Sequence, residues 1–377
     1  MLLLMAAALL SLQEGSFDAA LTGLAQDGEL DRILIRFQQR REKVRNEGEF
    51  KRLLADSRLE LEQFLKDNPK HKDAPRAAFQ IAETYLSAQD FEPAYEKLQA
   101  FLKTYPEGPD TPSARFALAE VQLEKEKDAE ARASFEEFAK LYPNDERTIF
   151  ARLYAAVTLQ NERKYDEAAD LLKNARQEFK ARKESWGAMM QLAVLYHVQE
   201  KNADAKKTLE EIIRDCPDRE PVEIARRHLQ AYLKIGQDAP GFSDKDIEGR
   251  DASTDKLRGK VVVVYFLDPA SAPSASEAVF LKRTREDAAR AGRADDLQLI
   301  GISIGTDRKD MAIYKAMSRC DWPLIFDGKG IDGKFARLYD VRGLPAITVI
   351  DRKGKVRFYN IAGRDFRNCV AKLLEEK

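Results

Sequence analysis

Cysteine and histidine are scarce in this chain of 377 residues, which contains three of each. Cys216, Cys320 and Cys369 are isolated and odd in number, a pattern that argues against a disulfide framework. Each is more typical of a small buried apolar residue than of a reactive thiol. The histidines show no metal-ligand spacing with the cysteines or with one another, so we expect no metal site and no other cofactor.

An excess of one charge is also absent, because 63 lysines and arginines stand against 64 aspartates and glutamates. Residues 1–236 are slightly acidic, and the remainder is slightly basic. No basic stripe with interleaved aromatic residues occurs, so the sequence predicts no nucleic-acid partner.

Long apolar runs are missing apart from residues 1–12, MLLLMAAALLSL. This run is too short to cross a bilayer as a helix, so no integral membrane span is expected. It has the length of a secretory signal core, and residues 1–13 are therefore predicted to be a signal peptide, with a buried first helix as the alternative. No cysteine follows the run, which argues against a bacterial lipoprotein.

What the chain does contain is a repeat with a period of 37 residues. Alanine recurs at this interval in three series: Ala94, Ala131, Ala168 and Ala205; Ala77, Ala114, Ala151 and Ala188; Ala82, Ala119, Ala156 and Ala193. A helix-ending proline follows the same interval at Pro69, Pro106 and Pro143, and Pro217 comes two periods later. A fixed period of this size indicates a helical repeat array. The second unit reads as two amphipathic helices, roughly 77–86 and 92–104, with Gln89-Asp90 as the turn. The second helices of successive units are expected to start near residues 55, 92, 129, 166 and 203.

The small-residue positions and the closing proline resemble the tetratricopeptide repeat family, whose unit has about 34 residues. The unit here is longer and is similar to the long-period repeats of bacterial envelope-assembly and cell-division proteins. The resemblance implies an all-α solenoid over residues 57–234 that binds protein or peptide segments in a concave groove. Residues 14–56 are interpreted as a helical segment that caps the array or packs beside it.

From residue 236 onward the pattern changes to strands alternating with helices. Val261–Phe266 is a continuous apolar run, typical of a strand buried on both faces. The other elements are predicted as helix 276–291, strand 297–303, helix 308–318, strand 323–326, a helical turn at 335–339, hairpin strands 346–350 and 355–360, and helix 364–375. This order indicates a mixed α/β sheet.

Several motifs in residues 236–377 resemble the redoxin family of thioredoxin-like thiol-disulfide reductases and peroxiredoxins. They are the opening GQDAPGF, the predicted strand LIGIS and the segment VRGLPAITVIDRKG. The resemblance implies a fold in which Pro345 is a cis-proline and Leu344 offers its backbone to an extended substrate chain. The whole chain is thus predicted to be multidomain, an all-α tetratricopeptide solenoid followed by an α/β thioredoxin-like domain.

The redoxin pattern lacks its thiols in this chain. The family places a Cys-x-x-Cys at the start of the helix after the first buried strand, whereas Ser271 and Ser274 stand there. A serine cannot form a disulfide, and residues 236–377 contain no histidine that would act as a base for hydrolysis. We therefore predict no catalytic residue and interpret Ser274 as a helix cap, with Glu277 reaching back to its amide in a capping box.

The sequence leaves two functions open. The first is a non-catalytic adaptor in the periplasm or cell envelope, with the cytoplasm as the alternative, whose apolar patch contains Leu267 and Leu344 with Trp322 close by. The second is a thiol oxidoreductase or peroxidase that uses a displaced cysteine, either Cys320 or Cys369. Because neither cysteine lies at the expected helix start, we favour the adaptor.

Overall fold

The computed structural model of the protein describes residues 28–254, 257–344 and 346–376. These residues pack as two compact units, 28–180 and 181–376. The run predicted to be a signal peptide, residues 1–13, lies outside the described part of the chain.

Helices make up the first unit and open the second. In the first unit they are α1 (Glu29–Arg41), α2 (Glu47–Asp67), α3 (Ala74–Ser87), α4 (Phe91–Thr104), α5 (Thr111–Glu124), α6 (Asp128–Leu141), α7 (Thr148–Asn161) and α8 (Tyr165–Glu178). In the second they are α9 (Ser185–Val198), α10 (Asn202–Asp215) and α11 (Arg219–Tyr232). The stretch from residue 60 to residue 230, all of it described, contains no strand, as the repeat pattern predicts.

The period predicted from the alanines is confirmed in the helix positions. The first helices α3, α5, α7 and α9 start at residues 74, 111, 148 and 185, and the second helices α4, α6, α8 and α10 start at 91, 128, 165 and 202. Each of these second helices begins within one residue of its predicted start.

The predicted start near residue 55 is wrong, because α2 already begins at Glu47. Asn46 caps this helix, and its side chain accepts a hydrogen bond from the Glu49 backbone N–H at 3.0 Å. A carboxylate oxygen of Glu49 in turn accepts from the Arg45 backbone N–H at 2.9 Å. This capping arrangement starts the helix about two turns ahead of the repeat register.

A left-handed residue sits at the same place in every turn between paired helices. Gln89, Glu126, Arg163 and Glu200 have φ between 57° and 61°. In the first of these turns the Asp90 N–H donates to the Tyr85 carbonyl, and the Gln89 N–H donates to the Leu86 carbonyl, both at 2.9 Å. This pair of bonds is a Schellman motif, which satisfies the last carbonyls of a helix and reverses the chain. The turn geometry therefore keeps the 37-residue period in register.

The alanines at the fixed positions are all fully buried. Ala131 on α6 belongs to the same core as Phe116, whose ring centroid lies 5.6 Å from that of Phe135 and 5.1 Å from that of Phe138. Large rings beside a methyl side chain leave no room for a longer one.

Replacing Ala131 by leucine is expected to lower the unfolding free energy by roughly 1–3 kcal/mol, because the added atoms overpack this core. Denaturant unfolding measures the change. Ala133→Leu provides a matched control at an exposed position of the same helix. An unchanged midpoint for Ala131→Leu would contradict the assignment of this site to the core.

Strands and helices alternate in the rest of the second unit. They are β1 (Ser243–Lys245), β2 (Asp251–Ser253), β3 (Val261–Leu267), α12 (Ala272–Arg290), β4 (Leu297–Ser303), α13 (Arg308–Ser318), β5 (Leu324–Phe326), α14 (Lys334–Leu338), β6 (Ala346–Ile350), β7 (Val356–Tyr359) and α15 (Gly363–Glu375). The bounds of β4, α13 and β6 are those predicted, whereas α12 begins four residues earlier than expected. The short hairpin of β1 and β2 was not predicted.

Five strands form one sheet in the order β5-β4-β3-β6-β7. Strands β3, β4 and β5 run parallel, β6 is antiparallel to β3, and β7 is antiparallel to β6. Every residue of β3 is buried, as expected for a central strand covered on both faces. The predicted fold class is confirmed: helical repeats precede an α/β domain.

Strand β7 lies at an edge of the sheet, and residues from the helical part bond to it. The Tyr359 backbone N–H donates to Nε2 of His197 at 3.1 Å, across 162 positions of sequence. Val356 accepts from the Gly236 N–H at 2.8 Å and donates to the Gln237 carbonyl at 3.0 Å. The unpaired side of the edge strand is therefore closed by α9 and by the connection that follows α11.

An ion cluster adds to these contacts between the helical part and β7. Glu200, the left-handed residue after α9, accepts hydrogen bonds from Arg357 at 2.6 Å and from Lys372. Burial by itself raises the pKa of Glu200, but the hydrogen bonds from Lys372 and Arg357 hold that pKa below its usual value. Arg357 also pairs with Glu376 at 2.7 Å. The fourth repeat is thus tied to β7 and α15 by charge as well as by backbone bonds.

Candidate functional site

One end of the sheet gathers the segments in which the sequence predicts a site. Strand β3 ends at Leu267, and the loop from Asp268 leads into α12. The register pairs Phe266 with Ala346, so Leu344, just before β6, lies at the same end as the start of α12. This placement agrees with the rule that sites in α/β sheets form beyond the carboxyl ends of the parallel strands.

Ser271 and Ser274 are brought together at the start of α12. The Ser271 hydroxyl donates to the Ser274 hydroxyl, with 3.0 Å between the two Oγ atoms. The Ser274 oxygen also accepts from the backbone N–H of Asp268 at 3.0 Å. Ser271 Oγ in turn accepts from the Ser274 N–H at 3.3 Å. Both hydroxyl oxygens therefore accept a hydrogen bond from a backbone N–H at the helix start.

The predicted capping box at Ser274 and Glu277 is wrong. The N-cap is Ser271, whose side chain accepts from the Ser274 amide, because the helix begins at Ala272. Ser274 lies inside the first turn and is buried. Both serines are good N-cap residues, so the local pattern did not decide between them.

Glu277 instead points into the protein and was missed as a candidate functional residue. Its side chain is only 8% exposed, and Oε1 has no hydrogen-bond partner within the described residues. Burial raises the pKa of Glu277 to about 7, although a hydrogen bond from the Gly363 backbone N–H lowers that pKa by a smaller amount. A carboxyl with such a pKa exchanges a proton near neutral pH. The sequence offers one sign of this position, since Glu277 is a single acidic residue directly before the apolar run Ala278–Leu281.

The predicted apolar patch is smaller than expected. Leu344 is half-buried against the sheet core, but Leu267 is almost completely buried and contributes no surface. Trp322 is also a core residue, and its indole N–H donates to the Tyr265 hydroxyl at 2.7 Å. Pro345, predicted to be a cis-proline, lies outside the described residues.

A basic cluster surrounds the backbone next to Leu344. Arg227 of α11 places Nη1 3.2 Å from the position that a Cβ on Gly343 would occupy. Asp340 accepts from Lys234 at 3.2 Å and from Arg342 at 2.9 Å. Three cations and one carboxylate therefore lie around the segment from residue 340 to residue 344, and two of the cations pair with that carboxylate.

The three cysteines are all buried, and none lies at the start of α12. Cys320 follows α13 and is 4% exposed, and Cys369 lies within α15 and is 2% exposed. Burial raises the pKa of the Cys320 thiol, which disfavours the reactive thiolate. Cys216 ends α10 and is also buried.

Residues 28–254, 257–344 and 346–376 contain no group of three or more His, Cys, Asp or Glu side chains arranged to hold a metal ion. Within the same ranges, every helix is too short or too polar to cross a membrane.

Comparison with known families separates the two parts of the chain. The profile of the AhpC/TSA family matches residues 235–359, and a tetratricopeptide repeat profile matches residues 155–220. A third profile, described as outer membrane lipoprotein, matches residues 72–159. The chain carries tetratricopeptide-type repeats and an AhpC/TSA thioredoxin-like domain. The redoxin and repeat resemblances seen in the sequence are confirmed.

Individual relatives match about a third of the chain. The chain is 25% identical over 128 residues to the thioredoxin-like protein YneN of Bacillus subtilis, covering 33% of this chain and 70% of the relative. It is 32% identical over 138 residues to the chloroplastic peroxiredoxin Q of Suaeda salsa, covering 35% of this chain and 62% of the relative. The match thus spans less than two thirds of that peroxiredoxin.

Solved structures with a similar chain path include thiol-disulfide oxidoreductases. The thioredoxin domain of one such protein from Bacteroides vulgatus is 23% identical with a TM-score of 0.34, covering 37% of this chain and 98% of the other. A thiol:disulfide interchange protein DsbE from Chlorobium tepidum is 22% identical with a TM-score of 0.33, covering 37% and 97%.

Proposed function

We propose that the protein is a non-catalytic adaptor in which the repeats and a redox-inactive thioredoxin-like domain both bind protein or peptide segments. The observation that carries the proposal is the pair Ser271 and Ser274, whose hydroxyls bond to each other at the helix start. In the redoxin family these are the cysteine positions, so the site is degenerate. The proposed segments are those predicted from the sequence, 57–234 for the repeats and 236–377 for the thioredoxin-like domain.

The chemistry of serine supports the absence of thiol exchange. A helix N-terminus favours a nearby negative charge by about 0.3–1 kcal/mol, and by up to about 2 kcal/mol in partly buried geometry. This corresponds to less than about two pKa units, far too little to ionise a hydroxyl. The burial of Cys320 and Cys369 likewise argues against a displaced thiol that replaces the missing pair.

A location in the periplasm or cell envelope is part of the proposal. It is supported by the match of residues 72–159 to the profile described as outer membrane lipoprotein and by the apolar run at residues 1–12, interpreted as a signal peptide. The cytoplasm is the alternative. The repeat architecture supports protein partners, because stacked helix pairs present an extended concave surface.

The Leu344 edge tests the binding function of the second domain. Leu344→Asp is expected to reduce capture of random nonamer peptides by about tenfold, because the charge enters a surface that must be dry when a peptide is bound. Capture is measured with the full chain immobilised, together with the melting midpoint of each variant.

The control is Leu338→Asp, since Leu338 is 44% exposed on α14 and the same charge there meets solvent. It is expected to leave capture unchanged. If a folded Leu344→Asp protein captures peptides as well as the parent does, this edge does not bind peptides and the proposal is wrong for the second domain.

A further inference from the structure

The guanidinium of Arg227 is a cation without a counter-ion beside the proposed peptide edge. It forms no salt bridge or hydrogen bond with any residue that the structure describes, although it lies against Gly343. The other two cations of the cluster, Lys234 and Arg342, share the single carboxylate of Asp340. Of the three cations beside the backbone before Leu344, two therefore share one carboxylate and the third, Arg227, pairs with none.

We propose that the Gly343–Leu344 edge selects extended peptide segments carrying an acidic side chain, and that Arg227 is the residue that determines this specificity. The inference rests on the proposed binding function and adds the chemistry of the partner. It also gives the repeat helix α11 a direct part in recognition by the second domain.

Geometry and charge both favour a carboxylate as the group bound by Arg227. The side chain is exposed, so its planar donors remain available to a ligand, and a guanidinium pairs with a carboxylate through two parallel hydrogen bonds. A side chain on residue 343 would crowd Nη1, so glycine lets the guanidinium lie against the backbone. A peptide extended along this edge presents alternate side chains to one side, which brings one of them to Arg227.

Two acidic groups described at this end of the sheet are already engaged. Asp340 is shared by two cations, and Asp268 accepts from the Ala270 backbone N–H at 3.1 Å. A ligand carboxylate at Arg227 therefore replaces no existing ion pair. Because Arg227 is exposed, the gain in binding free energy is moderate and decreases as the salt concentration rises.

The test uses the full chain and three libraries of random nonamer peptides with a central Glu, Gln or Lys. We expect the Glu library to bind about three- to fivefold more tightly than the Gln library at low salt, and the Lys library to bind most weakly. Arg227→Gln is expected to remove this preference, and Arg227→Glu to reverse it in favour of Lys.

Arg226→Glu is the matched control, because Arg226 is also exposed on α11 but lines a groove with Glu210 and Arg214 of α10. It is expected to keep the preference of the parent. If the libraries bind and Leu344→Asp abolishes their binding, but Arg227→Glu leaves the order of the three unchanged, the role of Arg227 is refuted while the adaptor proposal survives. If none of the three libraries binds, both proposals are refuted for this edge.

Discussion

The double variant Ser271→Cys/Ser274→Cys is expected to gain disulfide reductase activity that the parent protein lacks. The two Oγ atoms are already 3.0 Å apart, and a disulfide needs about 2.05 Å between sulfurs, which small rotations of the side chains supply. The start of α12 lowers the pKa of a thiol placed there, which increases the reactive thiolate. Insulin reduction with dithiothreitol as the electron source measures the gain.

Single variants separate a dithiol mechanism from a lone reactive thiol. Ser271→Cys alone has no partner sulfur within the helix turn, so it is expected to form mixed disulfides without sustained reduction. The adaptor proposal is wrong if the parent protein reduces insulin and loses that activity on Cys320→Ala or Cys369→Ala. A double variant that forms no internal disulfide would contradict the geometry at Ser271 and Ser274.

His197→Ala is expected to cost the second unit about 3 kcal/mol of unfolding free energy, since it leaves a buried N–H without its acceptor and opens a cavity. The imidazole is fully buried, accepts from the Tyr359 N–H, and stacks on Tyr232 with ring centroids 4.1 Å apart. Nδ1 lies 3.0 Å from the Asn202 side-chain oxygen, which fixes the hydrogen on that nitrogen. Thermal and denaturant unfolding measure the loss.

Two variants sharpen this test. His71→Ala is the control, because the His71 side chain is 39% exposed and its loss is expected to change stability by less than about 1 kcal/mol. His197→Gln retains an acceptor for the Tyr359 N–H and should recover part of the loss. Equal stability of His197→Ala and the parent would show that the contact of His197 with β7 contributes nothing to the unfolding free energy.

The same histidine predicts a pH dependence with a definite sign. Burial lowers the pKa of His197 to about 4 from an ordinary value of 6.5, so below pH 6.5 the unfolded chain binds the proton first. The contribution of His197 is therefore present above pH 6.5 and is lost as the pH falls toward 4, by up to about 3 kcal/mol. Glu277, whose pKa is raised to about 7, acts in the opposite direction. The difference in stability between the parent and His197→Gln reports this histidine together with its coupling to His228, whose pKa burial also lowers to about 4, and that difference should shrink on acidification.

The elements that the sequence predicts well are those set by local patterns. Strands 297–303 and 346–350 are confirmed to the residue, because a short apolar run between turn residues marks both ends of a buried strand. The repeat helices are likewise confirmed from alanine spacing. The three-residue strands β1 and β2 carry no such pattern and depend on their pairing with each other.

The site was harder to predict because its contacts are not local. Ser271 and Ser274 were found from the redoxin motifs, but the choice of N-cap depended on where the chain leaves β3. Glu277 fits a capping-box pattern, and only the packing of α12 places its carboxyl inside the protein. Arg227 is more than a hundred residues from Gly343 in sequence, so no local pattern joins them.

The closed edge of β7 also bears on aggregation. An outermost strand with free N–H and carbonyl groups is a template on which another chain can add, and such addition is how sheets grow into fibres. Here the groups at Val356 and Tyr359 are taken by Gly236, Gln237 and His197, and at the opposite edge the Leu324 carbonyl accepts from Ile247. The last repeat therefore prevents another strand from pairing with this edge of the sheet. A thioredoxin-like domain expressed from residue 236 onward would lack His197, and the Tyr359 N–H would be free to bond to another chain.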